Sequence, residues 1–403
     1  MPVIIEPAIE VGDIKVQMDS ESSEEAEKIM REWGHSIPMI KINDYVLEIG
    51  ECTSLTVSIS LGNLPTFNLT LDDEKFKIRK ALKKEIDTCI INIGFKNFRI
   101  KFNGIITSNN SYDDDPQLNL SGNLYQKEIY TREQRLWKDK PIVDILKDIC
   151  SDTKFGLFIF DNDYLNYVPD VVINPNTRNI SFIDTLLKRY TNNLYCFDTF
   201  GYLHVGNYKE IIKKEIDEYI IYPYTGDVLE ESKPIIFVAN KRRREENEDD
   251  EKEKYKIHVE SIAISSNFSS TIMSTDSKYS LNSDKQKIEL ESDEEVGFGE
   301  LAENTFYGFE NHKFPHYYER INKEISGCRI ELVLRNLVPE IVPFTVVELE
   351  NWIEGSQDNE KNYHLDTEHS GKHFVIGYSY IYNKQDDIED RTNNYITQKI
   401  HLI

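Results

Sequence analysis

Apolar residues fall on every second position in stretch after stretch of this chain. That period of two constrains the fold more than any other feature, because only an extended strand sends alternate side chains to one face. In GKHFVIGYSYIYNK, which begins at Gly371, the alternation predicts Phe374, Ile376, Tyr378, Tyr380 and Tyr382 on one face and Val375, Gly377, Ser379 and Ile381 on the other. The same rhythm places Leu55, Val57, Ile59 and Leu61 together, then Phe67, Leu69 and Leu71, then Phe98, Ile100 and Phe102, then Leu118, Leu120 and Leu124. Short alternating strands at close spacing predict a small antiparallel barrel or sandwich with one wet face.

Between the β regions the period changes. Pro141 suits the first turn of a helix that carries Ile142, Ile145, Leu146 and Ile149 on one stripe, and FGLFIF follows as a strand. Ser181 and Asp184 have the spacing of a capping box for SFIDTLLKRY, whose Ile183, Leu186, Leu187 and Tyr190 share a face. LYCFDTFGYLHVGNY then reads as a hairpin turning at Asp198 to Gly201. Further on, HYYERINKEI predicts a helix, and Ile330, Leu332 and Leu334 alternate in a strand before PFTVVELENWI. At the other end, an apolar stretch from Val3 to Ile5 precedes an acidic helix opened by Ser22 and Glu25, read as an appendage. A charge run from Asn240 reads as a solvated loop, its basic triplet Arg242 to Arg244 neutralised by the acidic block beside it.

Composition enters where chemistry is sought. With 71 acidic against 47 basic residues the chain carries a formal −24, which repels nucleic-acid phosphates and disfavours a conventional DNA-binding role. The five cysteines, Cys52, Cys89, Cys150, Cys196 and Cys328, are widely spaced and never form CxxC, so neither a disulfide framework nor a zinc ribbon is supported. With no basic, apolar leader and no run approaching the ~20 apolar residues of a membrane span, the chain reads as soluble and made in a reducing cytoplasm, with no membrane insertion. GxSxG, HExxH, GxxxxGK[ST] and GxGxxG are all missing. One cluster has the residue types of a divalent-metal site: His364, Asp366, Glu368, His369 and His373 within YHLDTEHSGKH. It falls between two predicted strands, where a solvated polar loop is expected, and turns account for Asp113 to Asp115 and for Asp161 to Asp163. His204, beside Leu203 and Val205, reads as a packed or hairpin-surface residue. No catalytic, cofactor-binding or metal-binding residue is assigned, no cofactor is expected, and the chain is not read as an enzyme.

The order of these pieces resembles a family. A β module, the helix and hairpin SFIDTLLKRY…LYCFDTFGYLHVG, the helix HYYERINKEI, the strand pair RIELVLRNL…FTVVELENWI and the closing GKHFVIGYSYIY…NYITQKIHL are similar to the baseplate central hub of contractile-tailed phages and to the hub portion of VgrG in type VI secretion. The resemblance implies a mainly β fold with two antiparallel barrel-like modules flanking an α+β middle, three chains closing a ring-shaped homotrimer. With the residue pattern, the chain divides into an acidic arm (1–37), a first barrel module (38–128), a middle module (129–218) and a second barrel module (219–403) with a charged loop (240–255) and a partly helical insertion (265–326), the arm and the charged loop being extras beside the family's pieces. The implied role is structural: adapting a sixfold tail tube to a threefold spike and lining a channel for DNA or tape-measure passage. Its partners would be a separate spike protein, tube or tube-initiator proteins and the tape-measure protein, with genomic DNA only in transit, in the virion tail baseplate. An acidic lumen would let DNA pass without sticking. From a different class, a β-rich carbohydrate- or receptor-binding protein would use the aromatic strands as ligand platforms.

Overall fold

The computed structural model describes residues 3–5, 38–48, 50–82, 86–95, 98–110, 115–124, 127–160, 163–191, 193–207, 211, 219–220, 231–232, 235–239, 255–259, 261–266, 279–282, 287–290, 328–334, 341, 344–354, 363–384 and 396–402. Strands dominate. The N-terminal half contains β1 (Val3–Ile5), β2 (Met39–Ile42), β3 (Tyr45–Val46), β4 (Cys52–Ser60), β5 (Thr66–Asp72), helix α1 (Lys77–Ala81), β6 (Thr88–Phe95), β7 (Phe98–Asn109) and β8 (Gln117–Leu124). The middle holds β9 (Arg132–Lys138), α2 (Ile142–Thr153), β10 (Gly156–Ile159), β11 (Val171–Arg178), α3 (Asn179–Tyr190), β12 (Leu194–Phe197) and β13 (Tyr202–Gly206). Then come β14 (Tyr219–Ile220), β15 (Glu231–Ser232), β16 (Ile235–Ala239), β17 (Tyr255–Val259), β18 (Ser261–Ser266), β19 (Tyr279–Asn282), β20 (Lys287–Leu290), β21 (Cys328–Leu334), β22 (Val346–Glu354), β23 (Tyr363–Leu365), β24 (Gly371–Asn383) and β25 (Ile396–Leu402).

Fifteen of the described strands join in one large, mainly antiparallel sheet, and β24 is its keystone. Its first residues pair with β22, while its second half lies antiparallel to both β4 and β25. A strand near the C-terminus thereby ties the N-terminal β region to the C-terminal one: Tyr378, Tyr380 and Tyr382 lie opposite Ile59, Val57 and Leu55. These residues are buried, so the alternation seen in each segment becomes a shared apolar face. Phe67, Leu69 and Leu71 of β5, Leu118, Leu120 and Leu124 of β8, and Ile330, Leu332 and Leu334 of β21 extend the same core. Of the predicted inward residues in NFRIKFNG, Phe102 is buried, and the side chains of Phe98 and Ile100 lie outside the described residues.

The strict alternation expected of β24 is broken at one place. A β-bulge between Val375 and Gly377 puts Val375 opposite Leu402 and Tyr378 opposite Ile400. Since Ile400 and Leu402 share a face, Val375 joins the face of Tyr378, which the alternation assigned to Phe374 and Ile376. The middle region has its own four-stranded sheet, in the order β1, β10, β13, β12. Val3–Ile5, read from sequence as part of an appendage, is thus the edge strand beside Leu157–Ile159. The predicted stripe of α2 is buried throughout, and Pro141 occupies its N-cap. For α3 the capping box is not formed: the helix begins at Asn179, Arg178 is its N-cap, and no side chain caps it. Ser181 and Asp184 lie inside the helix, where Asp184 accepts from the Tyr195 hydroxyl. The segment read as a partly helical insertion (265–326) contains, among its described residues, the antiparallel pair β19 and β20. The expected acidic helix at Ser22 to Glu25, the charge run from Asn240 and the helix HYYERINKEI lie outside the described residues.

Asp73, at the end of β5 and 2 % exposed, shows how buried polar groups are spent here. Its two carboxylate oxygens accept from the backbone N–H groups of Ile78 and Arg79, both at 2.9 Å, and so serve the start of α1, which otherwise has no side-chain cap. Asp73→Ala should cost about 1–2 kcal/mol, and Asp73→Asn less, since an amide oxygen replaces only one of the two acceptors. Urea midpoints of the full chain check this. Equal midpoints for wild type and the alanine variant would refute it.

Candidate functional site

The β12–β13 hairpin brings polar and apolar groups together at the joint between the middle region and the large sheet. Its turn spans Asp198 to Gly201, as the sequence predicted, and Asp198 is fully buried. Asp198 Oδ1 accepts the N–H groups of Phe200 and Tyr202 at 2.8 and 2.9 Å, and Oδ2 lies 2.9 Å from His204 Nε2. Cys196 is the cross-strand neighbour of His204. A cysteine, a histidine and an aspartate therefore meet within one hairpin, the residue types of a nucleophilic site.

The environment excludes that chemistry. All three side chains are sealed from solvent. Burial, and then the Asp198 carboxylate, push the Cys196 thiol well above its ordinary value, so the nucleophilic thiolate does not form. The thiol instead points at main-chain carbonyls, that of Ser60 at 3.4 Å and that of Phe197 at 3.5 Å. His204 is a packed residue rather than a surface one: its ring lies 5.6 Å from that of Phe158 and 6.5 Å from that of Phe344. What the arrangement does is mechanical. It fixes a tight turn and the register of a hairpin on which the large sheet rests.

The contacts across the joint bear this out. Gly62, at φ +73° in the turn between β4 and β5, donates its N–H to the Tyr195 carbonyl at 2.8 Å, and the Tyr195 hydroxyl returns a bond to the Gly62 carbonyl at 2.9 Å. An aromatic line continues the joint: Phe158 to Phe160 at 4.8 Å, Phe160 to Phe344 at 5.6 Å and Phe344 to Phe374 at 5.2 Å, leading from β10 to β24. Burial first and the Asp198 carboxylate second push the Tyr380 phenol above the usual range.

The His364 to His373 segment is organised differently from a metal centre. Asp366 Oδ2 faces His369 Nδ1 at 2.8 Å and accepts from Asn351 Nδ2 at 3.0 Å, while Oδ1 accepts the Glu368 N–H at 3.0 Å. His373 Nε2 turns to the His369 carbonyl at 3.0 Å, and His364 and Glu368 are exposed. The His369 hydrogen bond, acting against desolvation, holds the Asp366 carboxyl below its ordinary value. This is a self-satisfied turn between β23 and β24, and among the described residues no group of three or more His, Cys, Asp or Glu is placed to hold a metal ion. Asp115 Oδ1 likewise accepts the Gln117 N–H within a turn. Among the described residues no helix is long and apolar enough to cross a membrane.

No protein-family model matches the chain, and no curated protein does. Solved structures do match. The 43 kDa tail protein of prophage MuSo2 from Shewanella oneidensis superposes with a TM-score of 0.50 over 91% of this chain and 96% of its own, at 12% identity. The chain has a phage tail-protein fold. The tail protein from Neisseria meningitidis MC58 gives a TM-score of 0.49 at 11% identity, over 91% of this chain and 95% of that one. The E. coli c3393 protein, a component of the type VI secretion system, gives 0.43 at 8% identity, over 90% and 76%. Within this tail-protein fold the Asp198 anchor is only half legible in the sequence. The D-x-x-G spacing marked the turn, but the pairing of Asp198 with His204 depends on the hairpin register.

Proposed function

We propose that this chain is the structural hub of a phage tail baseplate or a related contractile injection machine. It is a non-catalytic protein, three copies of which close a ring that adapts a sixfold tube to a threefold spike and lines the channel between them. The observation that carries this reading is the match in fold to a prophage tail protein across nearly the whole of both chains. A binding module shared between unrelated proteins would match over a part only. The sheet adds a mechanical argument. Because β24 is bonded to both β4 and β22, the N-terminal and C-terminal β regions share one hydrogen-bonded sheet, which supports reading the chain as an adaptor that transmits force. On this reading the two β regions are the two barrel-like modules of each ring segment. The partners are a separate spike protein, tube or tube-initiator proteins and the tape-measure protein, the place is the virion tail baseplate after synthesis in the host cytoplasm, and DNA passes without binding.

Light scattering of the purified full chain across a concentration series tests the ring. The expected mass is three times the 47.2 kDa of the chain. A monomer at every concentration overturns the homotrimer.

A further inference from the structure

Large apolar side chains stand exposed together on the ribbon made by β9 and β11. Leu136 and Ile173 are direct cross-strand partners, 59% and 53% exposed, and Val171, opposite Lys138, is 42% exposed. The other face explains why the ribbon holds its shape without them. Trp137 and Val172, also partners, are buried, and the Trp137 indole stacks on Phe182 of α3 at 5.3 Å with an interplanar angle of 7°. Arg135 covers that indole at 4.9 Å and is held by Asp148 and Asp152 of α2, while Lys140 and the Trp137 N–H also bond to Asp148. The inward charges of the ribbon are thus paired.

The outward ones are of a single sign. Arg132 and Arg178, opposite each other, and Lys138 are exposed and make no ion pair among the described residues. Asp139 and Asp170, both exposed, lie beyond the strands at the Lys138 end, and Glu133, of the inward parity, lies 3.9 Å from Arg135. An apolar centre edged by three cations is unusual on a chain with 71 acidic and 47 basic residues. Such a face is built to meet an apolar surface ringed by carboxylates. The chain itself supplies carboxylates in excess.

We propose that the outward face of the β9–β11 ribbon docks on an acidic surface of a second copy of this chain. The contact joins a basic face to a different, acidic face, so it is head-to-tail and closes a ring rather than a two-fold pair. This rests on the ring reading above and names the surface that would make it. The test is the solution mass of the full chain in three forms: wild type, Leu136→Asp/Ile173→Asp, and Arg132→Glu/Lys138→Glu/Arg178→Glu. Circular dichroism melts confirm folding, and the charge variant alters only solvent-facing groups. Wild type is expected as a trimer, the aspartate variant as a monomer with association weakened about a hundredfold or more. The charge variant should weaken association too, and wild-type association should fall with added salt. A trimeric wild type with equally trimeric variants overturns the docking face and leaves the ring standing, its contacts then lying elsewhere. A monomeric wild type overturns the ring and, with it, a second copy as occupant of this face.

Discussion

Gly122→Ala is expected to destabilise the protein by about 3 kcal/mol or more, at the upper end of the cost of overpacking a core. Gly122 sits in β8 between Phe67 of β5 and Ile106 of β7. A Cβ there would meet the Ile105 carbonyl oxygen at 1.9 Å and the Phe67 ring at 2.6 Å. Gly104, on β7, also leaves room for that ring, since a Cβ at that position would lie 2.5 Å from the same Phe67 Cε1. Two glycines thus open the slot into which Phe67, fully buried and edge-to-face with Phe102 at 5.7 Å, inserts. The two clashes differ in kind. A ring can be trimmed, but a carbonyl in a ladder moves only with its strand. Phe67→Leu in the Gly122→Ala background should therefore recover less than half of the loss. Urea midpoints of the single and double variants measure it, and full recovery in the double variant would show that only the ring was in the way.

Gly122 also shows what the sequence discloses and what it hides. In QLNLSGNL the apolar parity runs Leu118, Leu120, Leu124, and Gly122 is the gap in that stripe. Such a gap signals a close approach, but its occupant, Phe67, comes from a strand that pairing alone identifies. The same limit explains the bulge in β24. Val375 and Ile376 are both apolar, so a slip of one residue leaves no mark on a hydrophobic pattern. At α3 the serine and aspartate spacing was right for a cap, but the helix starts at Asn179, before them, and the Asn179 side chain bonds back to the Glu128 carbonyl at 3.1 Å. The β9–β11 ribbon was not legible at all. In REQRLWK and VVIN apolar residues are adjacent rather than alternating, so nothing in the letters says that Trp137 and Val172 turn inward while Leu136 and Ile173 face out. Alternation reveals a sheet with one wet face. It is silent where both faces are apolar and one awaits a partner.

The buried anchor of the β12–β13 hairpin gives the second large effect. Asp198→Ala is expected to cost about 3–5 kcal/mol, because it removes at once the acceptor of a buried and a part-buried N–H group and the partner of a buried imidazole. Asp198→Asn separates these roles. The amide oxygen retains the place of Oδ1, which serves Phe200 and Tyr202, and the amide nitrogen faces His204 Nε2 as a donor. The imidazole can answer by carrying its proton on the other nitrogen, so the asparagine variant should lose only about 1–2 kcal/mol. The loss in the alanine variant should also spread beyond the hairpin. Tyr195 of β12 is bonded to Gly62 in both directions, and His204 lies against Phe344, which packs on Phe374 of β24. Hydrogen exchange on the full chain should therefore show faster exchange at Gly62 and in the first half of β24, as well as at Phe200 and Tyr202. Loss of protection confined to residues 198–204 would mean that the anchor serves its own turn alone, and that the joint between the middle region and the large sheet is held by the aromatic line without it.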